Sequence, residues 1–255
     1  VHAYLDHPGP LALAHRGFSR AGRENTMAAF QAAVDLGFRY IETDVHATAD
    51  GVAVAFHDAS LARVTDATGL IAELPWATVR RARVGGEEPV PTLAEVLDTW
   101  PDVRVNIDVK SAAAIAPTVE VIERAAAHDR VLVGSFSDTR RRAALRALTR
   151  PVATSAGTGT VATFVLGARV GAGAVAARAV RHVDCLQVPR RHGRVEVVTP
   201  VTVARAHALG TQVHVWTVNE PAEMHRLLDL GVDGIVTDRA DLLREVLVDR
   251  GQWVG

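Results

Sequence analysis

Histidines, basic residues and carboxylates recur in this sequence at one kind of place, the ends of short apolar runs. "LALAHRG" closes on His15, Arg16 and Gly17, and "YIETDV" carries Glu42 and Asp44. "GVAVAFHD" ends in His57 and Asp58, and "VRVNIDVK" carries Asp108 and Lys110. A strand needs none of these at its tip. A guanidinium fork and an ammonium suit phosphate oxygens, and a glycine lets the backbone approach a ligand closely. Paired histidines donate and accept protons near neutral pH. Together they describe phosphoryl transfer: an anion is clamped, a leaving oxygen is protonated and a nucleophile is activated.

Residues two apart on a strand share a face. Glu42 therefore points with Asp44, and Asp108 with Lys110, while Thr43, Val45, Ile107 and Val109 face the other way. Three carboxylates on one face repel unless positive charge lies among them. A hard divalent cation, Mg²⁺ or Ca²⁺, held by Glu42, Asp44, Asp108 and water satisfies that need. The rival is an ion network in which Arg16 and Lys110 neutralise the acids. Trp216, at the end of "QVHVWTV", reads equally as the wall of a substrate pocket or as a core tryptophan. His46 is set apart as alternating away from Asp44, His214 as a core residue, and Cys185 as a small buried one.

These residues need a scaffold that brings strand tips together. Runs at 11–15, 40–45, 103–110, 131–136, 152–157, 185–189, 212–218 and 234–238 are mostly continuously apolar, as parallel strands covered on both faces should be. Helical patterns fall between them at 25–36, 115–128, 138–148, about 160–180, 199–209, 220–230 and 239–248, the first with Asn25 as N-cap. Strand-then-helix order repeated eight times predicts a (β/α)8 barrel, whose catalytic groups lie at the C-terminal strand ends. A doubly wound open sheet is the runner-up, but no G-x-G-x-x-G follows the first run. Residues 46–100 break the rhythm and read as an insertion on the active face, starting with an extra strand after the Asp50-Gly51 turn.

The chain has 255 residues, 48% hydrophobic and 22% charged, and a barrel of this kind takes about 250 residues. It is expected to form one domain over 1–255. Lys plus Arg total 28 against 29 acids, a net charge of −1, which gives no electrostatic footprint for nucleic acid or anionic membrane. A single cysteine excludes an internal disulfide and a multi-cysteine zinc site. The longest apolar stretch, 162–180, is interrupted by Arg169 and Arg178 and gives no integral membrane segment. With no secretion signal in view the expectation is cytoplasmic, with export left open because the sequence starts at Val1.

"AHRG", "ENT", "ETDVHATADG", "FHD" with Leu61, Arg63 and Thr65 behind it, "NIDVK", "VHVWTVN" and "DGIVTD" occur in this order from about residue 11 to 249. In type, order and spacing they resemble the glycerophosphodiester phosphodiesterases. The resemblance implies a (β/α)8 barrel with a small insertion after the second strand. It implies a metal-dependent enzyme that cleaves a glycerophosphodiester to sn-glycerol 3-phosphate and an alcohol through a cyclic phosphate. By the same resemblance His15 and His57 are acid and base, Arg16 holds the phosphate and Lys110 stabilises its developing charge. Glu42, Asp44 and Asp108 ligate the cation. The third acid of the family is usually glutamate. Asp108 is one methylene shorter, so it ranks below the other two and reaches the cation through water or shifts which cation is preferred. Glu24 reads as a supporting residue, and Asn219 and Asp238 as weaker candidates. Two rivals stand beside this reading: a related sphingomyelinase D-like phosphodiesterase, and a non-catalytic barrel that binds a phosphorylated ligand.

Overall fold

The computed structural model describes residues 2–254. Eight strands, β1 (Leu11–His15), β2 (Tyr40–Ala47), β3 (Arg104–Val109), β4 (Val131–Gly134), β5 (Ala153–Thr154), β6 (Cys185–Pro189), β7 (Gln212–Trp216) and β8 (Gly234–Thr237), pair in parallel in the order β5-β4-β3-β2-β1-β8-β7-β6. The two ends meet through one parallel bridge, Ser155 to Cys185, where the Ala156 N–H donates to Cys185 and the Asp184 N–H to Thr154. The expected (β/α)8 barrel is therefore present and nearly closed, with no open sheet. Its thinnest stave is β5, two residues long where a longer run was expected.

Helices α1 (Met27–Asp35), α2 (Leu93–Thr99), α3 (Ile115–Arg124), α4 (Asp138–Ala147), α5 (Thr158–Arg169), α6 (Gly173–Val180), α7 (Pro200–Ala208), α8 (Pro221–Asp229) and α9 (Ala240–Asp249) surround the strands. Two expectations are corrected here. The helix expected over 160–180 is two helices, because the chain turns at Gly171, whose φ of +73° costs a glycine little. The cap of α1 is Thr26, whose hydroxyl accepts from the Ala29 N–H at 3.1 Å. Asn25 precedes it in a left-handed conformation and serves the site.

Side-chain alternation splits every strand between two cores. Leu11, Leu13, Tyr40, Leu132 and Val236 point inward and are closed from below by Tyr4 and Leu5. Ala12, Ile41, Val105, Ile107 and Val133 point outward to the helices. With both faces covered, the strands read as continuous apolar runs. The apolar layers fill the lower barrel, which leaves the upper layer to the polar tips. The segment after β2 begins with Ala53–Ala55, antiparallel to β2 with Ala55 opposite Val45. It carries its own small core, including Val54, Phe56, Leu61 and Ile71, and so presents His57 from a packed support.

Candidate active site

Strand register sets the layers of the mouth. His15 lies beside Glu42, and Asp44 beside Asp108. The deepest side chain is Asp44 at 3% exposure, with Glu42 at 9%, while His57 is more open at 33%. Arg16 adopts φ +55° and Gly17 φ +83°, which folds the chain back over the barrel. A Cβ on Gly17 would come within 2.6–2.8 Å of the α1 backbone at Ala29 and Phe30. The sequence reading assigned this glycine to close approach of a ligand, but what approaches is the first helix.

Arg16 Nε lies 2.9 Å from Asp44 as an ion pair without hydrogen-bond alignment, and a terminal nitrogen donates to Glu24 at 2.9 Å. Lys110 Nζ lies 3.0 Å from Asp44 and 3.2 Å from Asp108. Asn25 Nδ2 donates to Asp44 at 3.2 Å, and its Oδ1 accepts from Thr43. As it stands, the site contains the ion network weighed as the rival to a cation. That network meets Asp44 with two cations, Asp108 with one shared cation and Glu42 with no arginine or lysine side chain. Burial raises the Asp44 carboxyl, but Lys110 and Arg16 outweigh it and hold it below the usual range. Burial and the neighbouring Asp44 push Glu42 up to about 7. Burial also raises Asp108 despite Lys110, and its Oδ1 is buried with no hydrogen-bond partner among the described residues.

One more positive charge therefore fits this donor set. The oxygens are hard, and two of the three carboxylates are under-compensated. Among the described residues, no three such side chains stand close enough together to enclose a cation, and Lys110 lies between Asp44 and Asp108.

Each histidine is backed by an aspartate. His15 Nδ1 lies 2.6 Å from Asp238, and Asn219 fixes that carboxylate by donating to its Oδ2 at 2.9 Å while accepting from the Asp238 N–H. His15 Nε2 is left facing Glu42, 3.8 Å away. Burial lowers the His15 pKa, but Glu42 and Asp238 outweigh it and raise it above the ordinary value. His57 Nδ1 lies 2.5 Å from Asp58. Arg63 bonds Asp58 on one side and Glu24 on the other, and holds the Asp58 carboxyl at about 2. The line His57–Asp58–Arg63–Glu24–Arg16–Asp44 runs unbroken from the insertion to the barrel centre.

Other residues fall into place around this line. His46 was read as turned away from Asp44. Two residues along a strand is the same face, and His46 Nε2 donates to the His57 carbonyl at 3.1 Å. His214 is core as expected, fully buried, with burial lowering its pKa to about 4. Cys185 is buried too. Trp216 is half-buried at the mouth and packs edge-on against Phe136, ring centroids 5.6 Å apart. Lys110 Nζ sits 5.6 Å from the Phe136 ring. Phe136 escaped the sequence reading, as did the full weight of Asp238 and Asn219. Their one signal was position, since each follows the end of a barrel strand.

A parallel barrel with two aspartate-backed imidazoles and a cluster of cations and carboxylates at its mouth has the groups that phosphodiester cleavage requires. Similarity to known proteins narrows that chemistry to a family. Residues 15–242 match the glycerophosphoryl diester phosphodiesterase family. The chain is 55% identical over 253 residues to the "Probable glycerophosphodiester phosphodiesterase 2" of Mycobacterium tuberculosis, covering 99% of this chain and 96% of that one. It is 29% identical over 248 residues to a glycerophosphodiester phosphodiesterase of Caldanaerobacter subterraneus subsp. tengcongensis, covering 91% and 96%. An Oleispira antarctica phosphodiesterase, solved with sn-glycerol-3-phosphate, superposes with a TM-score of 0.79 at 24% identity over 94% and 97% of the two chains. The chain belongs to the glycerophosphoryl diester phosphodiesterase family, and so to the enzymes that hydrolyse phosphodiesters. No helix among the described residues is long and apolar enough to cross a membrane.

Proposed function

We propose that the protein hydrolyses small glycerophosphodiesters to sn-glycerol 3-phosphate and an alcohol, using one divalent cation and two histidines, through a cyclic phosphate. The observation that carries this reading is the pair of imidazoles, each fixed at Nδ1 by an aspartate, on either side of a cluster of two cations and three carboxylates. Glu42, Asp44 and Asp108 would hold Mg²⁺ or Ca²⁺. When bound, that ion supplies charge neutralisation for the carboxylates and for a phosphate oxygen. Arg16 and Lys110 then serve the remaining phosphate oxygens.

His57, oriented by Asp58, takes the proton of the glycerol 2-hydroxyl as that oxygen attacks phosphorus. His15, kept toward imidazolium by Glu42 and Asp238, gives its Nε2 proton to the leaving alcohol as the phosphorus–oxygen bond breaks. Water then opens the ring with the two roles reversed. Trp216 and Phe136 wall the organic part of the substrate. The substrate supplies the nucleophile, in keeping with the absence, among the described residues, of a serine or cysteine hydrogen-bonded to either imidazole.

Glycerophosphocholine should give sn-glycerol 3-phosphate and choline. Its 2-deoxy analogue should bind, measured by competition, without appreciable turnover. Equal rates for the two compounds would mean direct attack by water. Turnover of sphingomyelin in preference to glycerophosphocholine would favour the sphingomyelinase D-like reading.

Asp238→Asn tests the positioning of His15. Losing the carboxylate removes an interaction that raises the imidazolium pKa, so the alkaline fall in kcat should begin at lower pH, with kcat down about tenfold or more and KM little changed. An unshifted pH profile would show that Asp238 does not act through His15.

A further inference from the structure

Isolated apolar residues on a surface need no explanation, but grouped ones do. Among the described residues nine large hydrophobic side chains are exposed, and five of them, Phe136, Leu166, Val170, Val195 and Val201, fall on segments at one side of the barrel's rim. The backbone explains why. Helix α5 starts at the mouth, just after β5, where the Thr158 N–H donates to the Phe136 carbonyl. Its far end stays at the mouth, because Arg169 bonds the Glu196 carbonyl in the small hairpin Arg191–His192/Val195–Glu196 that follows β6. Helix α5 therefore lies across the rim, and α6 makes the descent to β6.

Leu166 on α5 and Val170, its C-cap, are one turn apart, at 64% and 67% exposure. Val195 stands on the hairpin, and Val201 in the first turn of α7. The polar residues interleaved with them are basic. The hairpin reads "RRHGR" over 190–194, with Arg191, His192 and Arg194 all exposed. Of the six arginines between 166 and 201, Arg169, Arg190, Arg191 and Arg194 belong to the rim, while Arg178 and Arg181 lie at the end of the descent to β6. Glu196 is paired with Arg190 at 3.1 Å and lies 3.9 Å from Arg191, and Glu223 lies 3.3 Å from Arg190.

We propose that this rim is a docking face for the surface of an anionic phospholipid bilayer. Exposed aliphatic side chains beside the exposed guanidinium groups of Arg194 and of Arg191, whose Nε is 3.9 Å from Glu196, match the two attractions that hold a peripheral protein at such an interface: apolar burial at the headgroup level and pairing with lipid phosphates. A protein partner would need a defined complementary relief, whereas what this face offers is exposed aliphatic and arginine side chains. The face adjoins Phe136 and so would bring the open mouth down to the lipid surface. Net charge near zero concealed it, because the compensating acids lie elsewhere on the chain.

The test is co-sedimentation of the full chain with vesicles of phosphatidylcholine alone or mixed with phosphatidylglycerol. The protein should sediment with the anionic vesicles at low salt, and not with the neutral ones or at high salt. Leu166→Asp with Val170→Asp, and separately Arg191→Glu with Arg194→Glu, should each weaken partitioning about tenfold or more. Turnover of soluble glycerophosphocholine should not change. If the first double variant fails to fold, as judged by loss of that turnover, the arginine variant decides alone. No partitioning onto anionic vesicles at low salt, or unchanged partitioning in a folded variant, would overturn the proposal. So would sedimentation velocity that shows a dimer made monomeric by the Leu166/Val170 variant, since the face would then belong to a second copy of the chain.

Discussion

His15→Ala and His57→Ala are each expected to lower kcat by about a hundredfold or more while leaving thermal stability close to that of the parent protein. The size follows from position. Each imidazole is held at Nδ1 by an aspartate that is itself tied down, Asp238 by Asn219 and Asp58 by Arg63, so the free Nε2 is aimed before substrate arrives. The small stability cost has its own cause. His57 is one-third exposed, and the aspartate it leaves behind keeps its arginine. The two variants should differ in one respect. His15 lowers the pKa of Glu42, so its loss lets the Glu42 carboxyl rise further and should also weaken activation by a divalent cation. Steady-state kinetics with a cation titration measures both effects. Near-parental kcat in either variant would remove that histidine from the mechanism, and unfolding would make its role structural.

The second large effect concerns the carboxylates. A chelator should abolish turnover, and Mg²⁺ or Ca²⁺ should restore it. At a cation concentration a hundredfold above Kd, linkage stabilises the folded state by about 2.7 kcal/mol. For a chain of this size that raises Tm by about 5–10 °C. Glu42→Gln should remove most of that rise along with the activity.

The same variant carries a pH signature. The Glu42 pKa is raised from 4.5 to about 7 by burial first and Asp44 second. A carboxyl raised in the folded state contributes stability that is intact below its unfolded value and lost as pH climbs through the folded one. The chelated parent protein should therefore weaken between about pH 5 and pH 7 through Glu42. Chelated Glu42→Gln should weaken less over that window. Differential scanning calorimetry at the two pH values, with chelator and with cation, separates these terms. Full activity of a chelated, metal-free sample would sink the cation assignment. An equal pH slope in parent and variant would sink the account of Glu42.

Much of this protein was legible in one dimension. Continuous apolar runs separated by helical patterns gave the barrel, because parallel strands buried on both faces leave that trace. The two-residue spacing of Glu42 with Asp44, and of Asp108 with Lys110, placed both pairs on the inner face, because strand alternation is local geometry. His15, Arg16 and His57 stood out because polar residues at the tips of buried strands have no structural reason to be there.

What the sequence could not contain was who meets whom across the barrel. Asp238 lies 223 residues from His15, and their contact exists only because β8 pairs with β1. Phe136 reaches Trp216 only because β4 and β7 open onto the same mouth. Arg63, Glu24 and Arg16 become a line only once the insertion folds over the first loop. The role of Gly17 was decided by the α1 backbone, which no local pattern announces. The same holds for the electrostatics. The sequence offered three acids and two cations, and the tertiary structure set both cations on Asp44, with Lys110 shared by Asp108. Glu42 and Asp108 were left buried and under-compensated, because Coulomb energies depend on distance and burial, and neither quantity is a property of position along a chain.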